Sequence, residues 1–251
     1  LGPIDKPTAG LIKRKRKAMA RIVKEEEYAA RRNEILDATQ RLVYTKGYEH
    51  MTIQDILDDL QISKGAFYHY FDSKGALLEA LVERMMVVEV EPLLIPIVQD
   101  PHLTALEKLN RYFDTATRWK TTKKTFMLEL LRVWLADENA IVRQKMFSMT
   151  LKRVTPWLAE IIRQGIQEGV FDTSYPDQVC HVILYIVQGL SVSETIIELL
   201  LSSETNRDAA RIESSITAYT AALTDALERV LGTPSGALHL IDTETLKEWF
   251  I

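Results

Sequence analysis

Between Arg207 and Leu231, the apolar residues Ile212, Ile216, Tyr219, Leu223, Ala226 and Val230 recur at three- and four-residue steps, a period that strongly constrains the fold. That spacing lays all six along one stripe of an α-helix, whereas a strand would scatter them over both faces. The pattern returns in Ile35, Ala38, Leu42 and Val43, and again in Ile53, Ile56, Leu57 and Leu60. Residues that would interrupt it are scarce. Ten glycines and eight prolines in 251 residues make about 7%, against roughly 12% in average usage. An all-α chain is expected, and the hydrophobic share of 47% is enough for a buried core.

Cap residues and breakers divide the chain into elements. A helix is expected from Glu25 to Lys46, with Gly47 supplying a left-handed C-cap. A second, two turns long, starts at the N-cap Thr52 and runs to about Asp59. Ile62 then plugs the core and Ser63 caps a segment from Lys64 to Phe71, in which Phe67 and Phe71 face inward while Lys64, Tyr68 and His69 face out. Ser73 caps a longer helix that should fray or bend at Pro92 and Pro96. Thr104 and Glu107 form a capping box ahead of a helix to about Lys120. Further helices are expected over 123–136, 140–168 with a kink before Pro156, 176–202, 207–231 and 243–250, the last docking through Leu246, Trp249 and Phe250.

The net charge of −4 conceals an asymmetry. Residues 1–24 carry eight Lys and Arg against one Asp, a charge of +7, and the other 227 residues carry −11. A basic arm on an acidic body points to a polyanionic partner, with a solvated tail as the bland alternative. The arm offers only a thin apolar stripe, Ile12, Met19, Ile22 and Val23, which favours nucleic acid over an anionic membrane surface.

Other chemistry finds little support. No apolar run approaches the roughly 20 residues of a membrane span, and no secretory-signal pattern follows the basic N-terminus. The single cysteine, Cys180, fits a reducing cytoplasm and reads as a buried inert thiol. The five histidines lack zinc spacing, and no phosphate-binding loop, nucleophile elbow or zinc-protease motif occurs. No metal, cofactor or catalytic residue is therefore expected.

Two short helices joined by a tight turn, the second with a basic start and a polar outer face, match the helix-turn-helix geometry that fits one helix into a major groove about 12 Å wide. Three stretches carry a further signal: 32–38 (RNEILDA), 47–56 (GYEHMTIQDI) and 62–74 (ISKGAFYHYFDSK). Together they closely resemble the DNA-binding domain of TetR-type, tetracycline-repressor-like regulators, over residues 30–82. The second half resembles that family's ligand-binding and dimerisation domain in helix number and length only.

The resemblance implies a basic arm (1–24), a three-helix helix-turn-helix DNA-binding domain (25–72) and a helical ligand-binding and dimerisation domain (73–251). It implies that Thr52, Tyr68, Tyr70 and Lys74 hold phosphates, which position the protein without reading sequence. Gln54 and Lys64 match positions that reach base edges, where Gln suits adenine and Lys suits guanine. His69 on the outer face and Arg14, Arg16, Lys17 and Arg21 in the arm complete the expected DNA-binding set. Tyr70 as a packing residue and Lys74 as a solvated lysine remain open alternatives. Gly65 and Ala66 leave the reading helix short of long polar groups, and residues 25–85 carry a net −5, so the arm should matter to affinity.

A TetR-type regulator responds to a small molecule. The expected effector region holds Trp119, Phe126, Trp134, Met149 and Trp157, with His181, Tyr185 and Gln188 as polar handles. An ordinary core is the competing reading of that set. The helices 176–202 and 207–231 are expected to pair with a second copy in a two-fold homodimer on an inverted-repeat DNA operator, away from membranes. Two rival functions stay in view: an all-helical enzyme using the second-domain cavity, and a membrane-surface adaptor using the arm.

Overall fold

The computed structural model describes the backbone of residues 7–135, 139–191, 209–240, 244–245 and 248–249; side chains are described from 24 onward within these, except 133–135, 190–191 and 209–213. No strand occurs among the described residues. The chain divides into two compact units, Leu1–Leu81 and Val82–Ile251.

The first unit begins with α1 (Pro7–Lys46), which is followed by α2 (Ile53–Leu60), α3 (Lys64–Tyr68) and the start of α4 (Lys74–Met85). Helix α1 starts well ahead of the expected Glu25, so residues 7–24 of the basic arm are part of one 40-residue helix rather than a separate tail. Gly47 ends it at φ +78°, as its position predicts. Ile35, Leu36, Ala38 and Val43 of α1 are buried, as are Ile56 and Leu57 of α2. Phe67, Phe71, Leu77, Leu78 and Leu81 are buried too. Helix α3 stops at Tyr68, three residues before the expected end. The reason is a tightened last turn, in which the Tyr70 N–H donates to the Phe67 carbonyl three residues back.

The second unit contains the end of α4, a π-helical turn (Met86–Val90), α5 (Glu91–Gln99), α6 (Ala105–Thr122), α7 (Lys124–Leu135), α8 (Ala140–Gln167), α9 (Pro176–Ser191) and α10 (Ala209–Leu231). Fraying near Pro92 does not occur. Pro92 has no N–H to give to residue 88; the chain instead widens by one residue, the Glu91 N–H donates to the Met86 carbonyl, and helix resumes to Gln99 with Pro96 inside it. The capping box at Thr104 and Glu107 forms as expected, and α8 runs through Pro156 as one element. The parts of the expected 176–202 and 207–231 helices within 192–208 lie outside the described residues, as do Leu246 and Phe250.

One apolar cluster joins α5, α6, α8, α9 and α10, with Leu109, Leu158, Ile161, Ile162, Ile183 and Leu227 fully buried. Its corner depends on a glycine. A Cβ on Gly165 would lie 2.0 Å from Cδ2 of Phe171, so only Gly lets the ring close against α8. The C-terminal segment docks on this unit: His239 N–H donates to Asn110 Oδ1 (2.8 Å) and Trp249 Nε1 to Thr121 Oγ1 (2.8 Å).

Candidate nucleic-acid interface

The hairpin of α2 and α3 is built by local chemistry. Thr52 caps α2 and accepts from the Asp55 N–H, while the Asp55 carboxylate accepts from both the Thr52 N–H (2.8 Å) and hydroxyl (2.9 Å). Lys46 Nζ adds a 2.5 Å ion pair to Asp55. Hydrogen bonding from Lys46 and then from Thr52 holds the Asp55 pKa down to about 2. Gln61 ends α2 in the left-handed region (φ 52°), and its amide donates to the Asp58 carbonyl at 2.6 Å. Ser63 then accepts from the Ala66 N–H (3.1 Å) to start α3.

The predicted DNA-contacting side chains divide by how firmly they are held. Gln54, Lys64 and Tyr68 are exposed: Gln54 donates to Asp58 Oδ1 (2.7 Å), and Lys64 Nζ lies 6.0 Å from the centre of the Tyr68 ring. Thr52 is exposed, with its hydroxyl donating to Asp55. His69 and Tyr70 pack with Tyr28 of α1, at ring separations of 5.6 and 4.7 Å. Lys74 is half-buried. Its ammonium sits 4.2 Å from the centre of the Tyr48 ring and donates to the Glu49 carbonyl at 3.3 Å, and burial lowers its pKa. Tyr48 is itself pushed up to about 12, chiefly by burial and then by Glu49 and Glu79. The side chains of Arg14, Arg16, Lys17 and Arg21 lie outside the described residues.

Sequence reasoning missed Tyr28 and Tyr48. Each meets a partner more than twenty residues away, and nothing in local spacing marks such a pairing. Asp55 was passed over as well, although its place three residues after the cap Thr52 is the signal that could have found it.

In the second unit, Trp119 and Trp157 both pack on the main apolar cluster, and Trp119 Nε1 donates to Glu89 Oε2 (3.3 Å). Phe126 is fully buried and Gln188 is half-buried. His181 is exposed on α9, and Tyr185, 57% exposed, meets Phe147 edge-on at 4.9 Å. Met149 borders a groove with polar neighbours. The Trp134 side chain lies outside the described residues. Cys180 is buried, its thiol donating to the Pro176 carbonyl (3.0 Å), and burial pushes its pKa up to about 11.

Residues 35–81 match the family of bacterial regulatory proteins of the tetR type, and residues 133–195 match the tetracycline-repressor-like C-terminal domain. Over 162 residues the chain is 33% identical to the HTH-type transcriptional regulator TtgR of Pseudomonas putida, covering 61% of this chain and 76% of that one. The chain belongs to the tetR family. The match at 133–195 goes beyond the likeness in helix number and length that the sequence alone offered for the second half. An HTH-type transcriptional repressor of Mycobacterium tuberculosis is 37% identical over 82 residues, 31% of this chain and 44% of that one. The chain spans less than half the length of some curated relatives it matches, 26% and 44% for two of them. A TetR transcription regulator from Haloarcula marismortui shares the fold, with a TM-score of 0.54 at 22% identity over 81% of this chain and 97% of that one. Among the described residues no helix is long and apolar enough to cross a membrane.

Proposed function

We propose that this tetR-family chain is a ligand-responsive, cytoplasmic transcriptional repressor that binds an inverted-repeat operator as a two-fold homodimer. The observation that carries this reading is the hairpin: its inner face is packed, while Gln54, Lys64 and Tyr68 stand exposed on its outer side. Gln54 and Lys64 read base edges, and Thr52, Tyr68, His69, Tyr70 and Lys74 hold or flank phosphates. An ammonium has three donors, so Lys74 can keep its bond to Glu49 and still meet a phosphate. The arm, Arg14, Arg16, Lys17 and Arg21 included, supplies sequence-independent affinity to a domain of net negative charge. Division of labour follows the expected segments, with 25–72 reading DNA and 73–251 sensing and pairing.

Homodimerisation is supported by α9, which buries Val179, Cys180, Ile183 and Leu184 while leaving Val182 and Tyr185 exposed. A second copy pairing the 176–202 and 207–231 helices would cover that face. The effector is a small apolar or amphipathic molecule bound around Trp119 and Trp157, within the set that includes Phe126, Trp134, Met149, His181, Tyr185 and Gln188. It shifts the helix beginning at Lys74 and so changes the spacing of the reading heads. A coupling of about 1–3 kcal/mol would change operator affinity roughly 5- to 150-fold.

The test is a footprint of the protein on its own upstream DNA, with and without cell extract, beside sedimentation at micromolar concentration. The reading expects a two-fold-symmetric protected site, a dimer, and release by extract. An asymmetric or absent footprint, or a monomer, defeats it.

A further inference from the structure

A groove of about 510 Å³ runs along α8 and is bordered on its other side by Glu83 near the end of α4. The α8 residues that line it, from Gln144 to Arg153, fall at i, i+1, i+4, i+5, i+8 and i+9, which is one stripe of the helix. Among the charged side chains on the groove, Lys145, Lys152 and Arg153 are cations and Glu83 is the single carboxylate. Ser148 adds a hydroxyl and Met149 an apolar floor.

Arg153 is shared between two carboxylates. Nη1 donates to Glu91 Oε1 at 2.7 Å and Nη2 to Glu83 Oε1 at 2.9 Å. The two partners differ in burial: the Glu91 side chain is 17% exposed and that of Glu83 is 48% exposed. An ion pair open to water contributes little, so the Glu83 carboxylate is the replaceable partner and Glu91 the fixed one. A guanidinium offers paired donors matched to a carboxylate or sulfonate, and Lys145 and Lys152 place further positive charge along the same stripe.

We propose that this groove binds a small organic anion with an apolar body, whose acidic head replaces Glu83 on Arg153 and whose body lies over Met149. The site shares Met149 with the proposed effector set, but neither Trp119 nor Trp157 lines it. Binding there exchanges the tie between α4 and α8 for a tie between ligand and α8. The exchange has a distinctive sign. Glu83 competes with the ligand for Arg153, so neutralising this wall residue strengthens binding.

The experiment titrates 1-naphthoate and its neutral counterpart 1-naphthamide into the full chain by calorimetry. One charge-assisted pair in place of a neutral contact should favour naphthoate about tenfold or more. Glu83→Gln should tighten naphthoate by about 3- to 10-fold, while the exposed Lys152→Gln should weaken it by a similar factor, both leaving naphthamide unchanged. Thermal melting confirms that each variant is folded, and the exposed Lys152 position keeps the test independent of the half-buried Arg153. Equal binding of the two compounds, or a Glu83→Gln variant that binds naphthoate no better than the parent, overturns the proposal. Neither result bears on DNA binding, which the footprint measures separately.

Discussion

Replacing Lys74 with Ala separates two roles for one ammonium. In the structure it caps the Tyr48 ring at 4.2 Å and donates to the Glu49 carbonyl at 3.3 Å, so it ties the start of α4 to the turn between α1 and α2. A partly desolvated cation–π contact contributes about 0.5–2 kcal/mol. The long hydrogen bond adds at most about 1 kcal/mol. Loss of both should destabilise the first unit by about 1–2 kcal/mol, or roughly 5–10 °C if this unit melts cooperatively. Lys74→Arg keeps a cation over Tyr48 and a donor for Glu49, and should stay within about 0.5 kcal/mol of the parent. Urea unfolding followed by tyrosine fluorescence measures the first quantity. The second is the slope of log affinity against log salt on duplex DNA, which should fall by about 0.9 in Lys74→Ala if the remaining donors also meet a phosphate. A Lys74→Ala protein as stable as the parent would refute the latch, whatever its salt slope.

Four other outcomes follow from the same geometry. Gly165→Ala should cost about 1–3 kcal/mol by driving a Cβ into Phe171, and should be nearly neutral in a Phe171→Leu background; equal cost in both backgrounds refutes the clash. The Asp55 pKa is depressed to about 2, so the stability it confers is fully present above about pH 4 and is lost as pH falls toward 2. The stability difference between parent and Asp55→Asn should therefore shrink across that window, and a difference independent of pH would remove the Lys46 and Thr52 account. Deleting residues 1–24 should flatten the salt slope and weaken binding to all duplexes, whereas an unchanged slope makes the arm a bystander. Lys64→Ala and Gln54→Ala should each relax preference at particular base pairs at about 1–3 kcal/mol, and a uniform loss of affinity across sequences would reassign them to phosphates.

The α-helical class, the caps at Thr52, Ser63, Ser73 and Thr104, the left-handed Gly47 and the inward Phe67 and Phe71 were all legible in the sequence. Each depends on residues within about two turns of one another, and a 3.6-residue period expresses such relations directly. Where local rules compete, sequence reading lost precision. Pro92 was expected to fray or bend its helix; the chain does not fray there but absorbs the missing donor as a π turn and continues to Gln99. Likewise, periodicity carried α3 to Phe71, but one three-residue hydrogen bond ended it at Tyr68.

By itself, then, the sequence determined which segments are helical, where most of them begin, which face of each is apolar, and that a basic arm adjoins an acidic body. Only the tertiary structure decided which polar groups are already engaged. Lys74 meets Glu49 across 25 residues, Arg153 meets Glu91 and Glu83 across 62 and 70, and Tyr28 meets His69 and Tyr70. The reason is physical. Helix formation is governed by neighbours along the chain, whereas the partner of an outward-pointing charge or ring is whatever side chain the packing of apolar faces brings beside it.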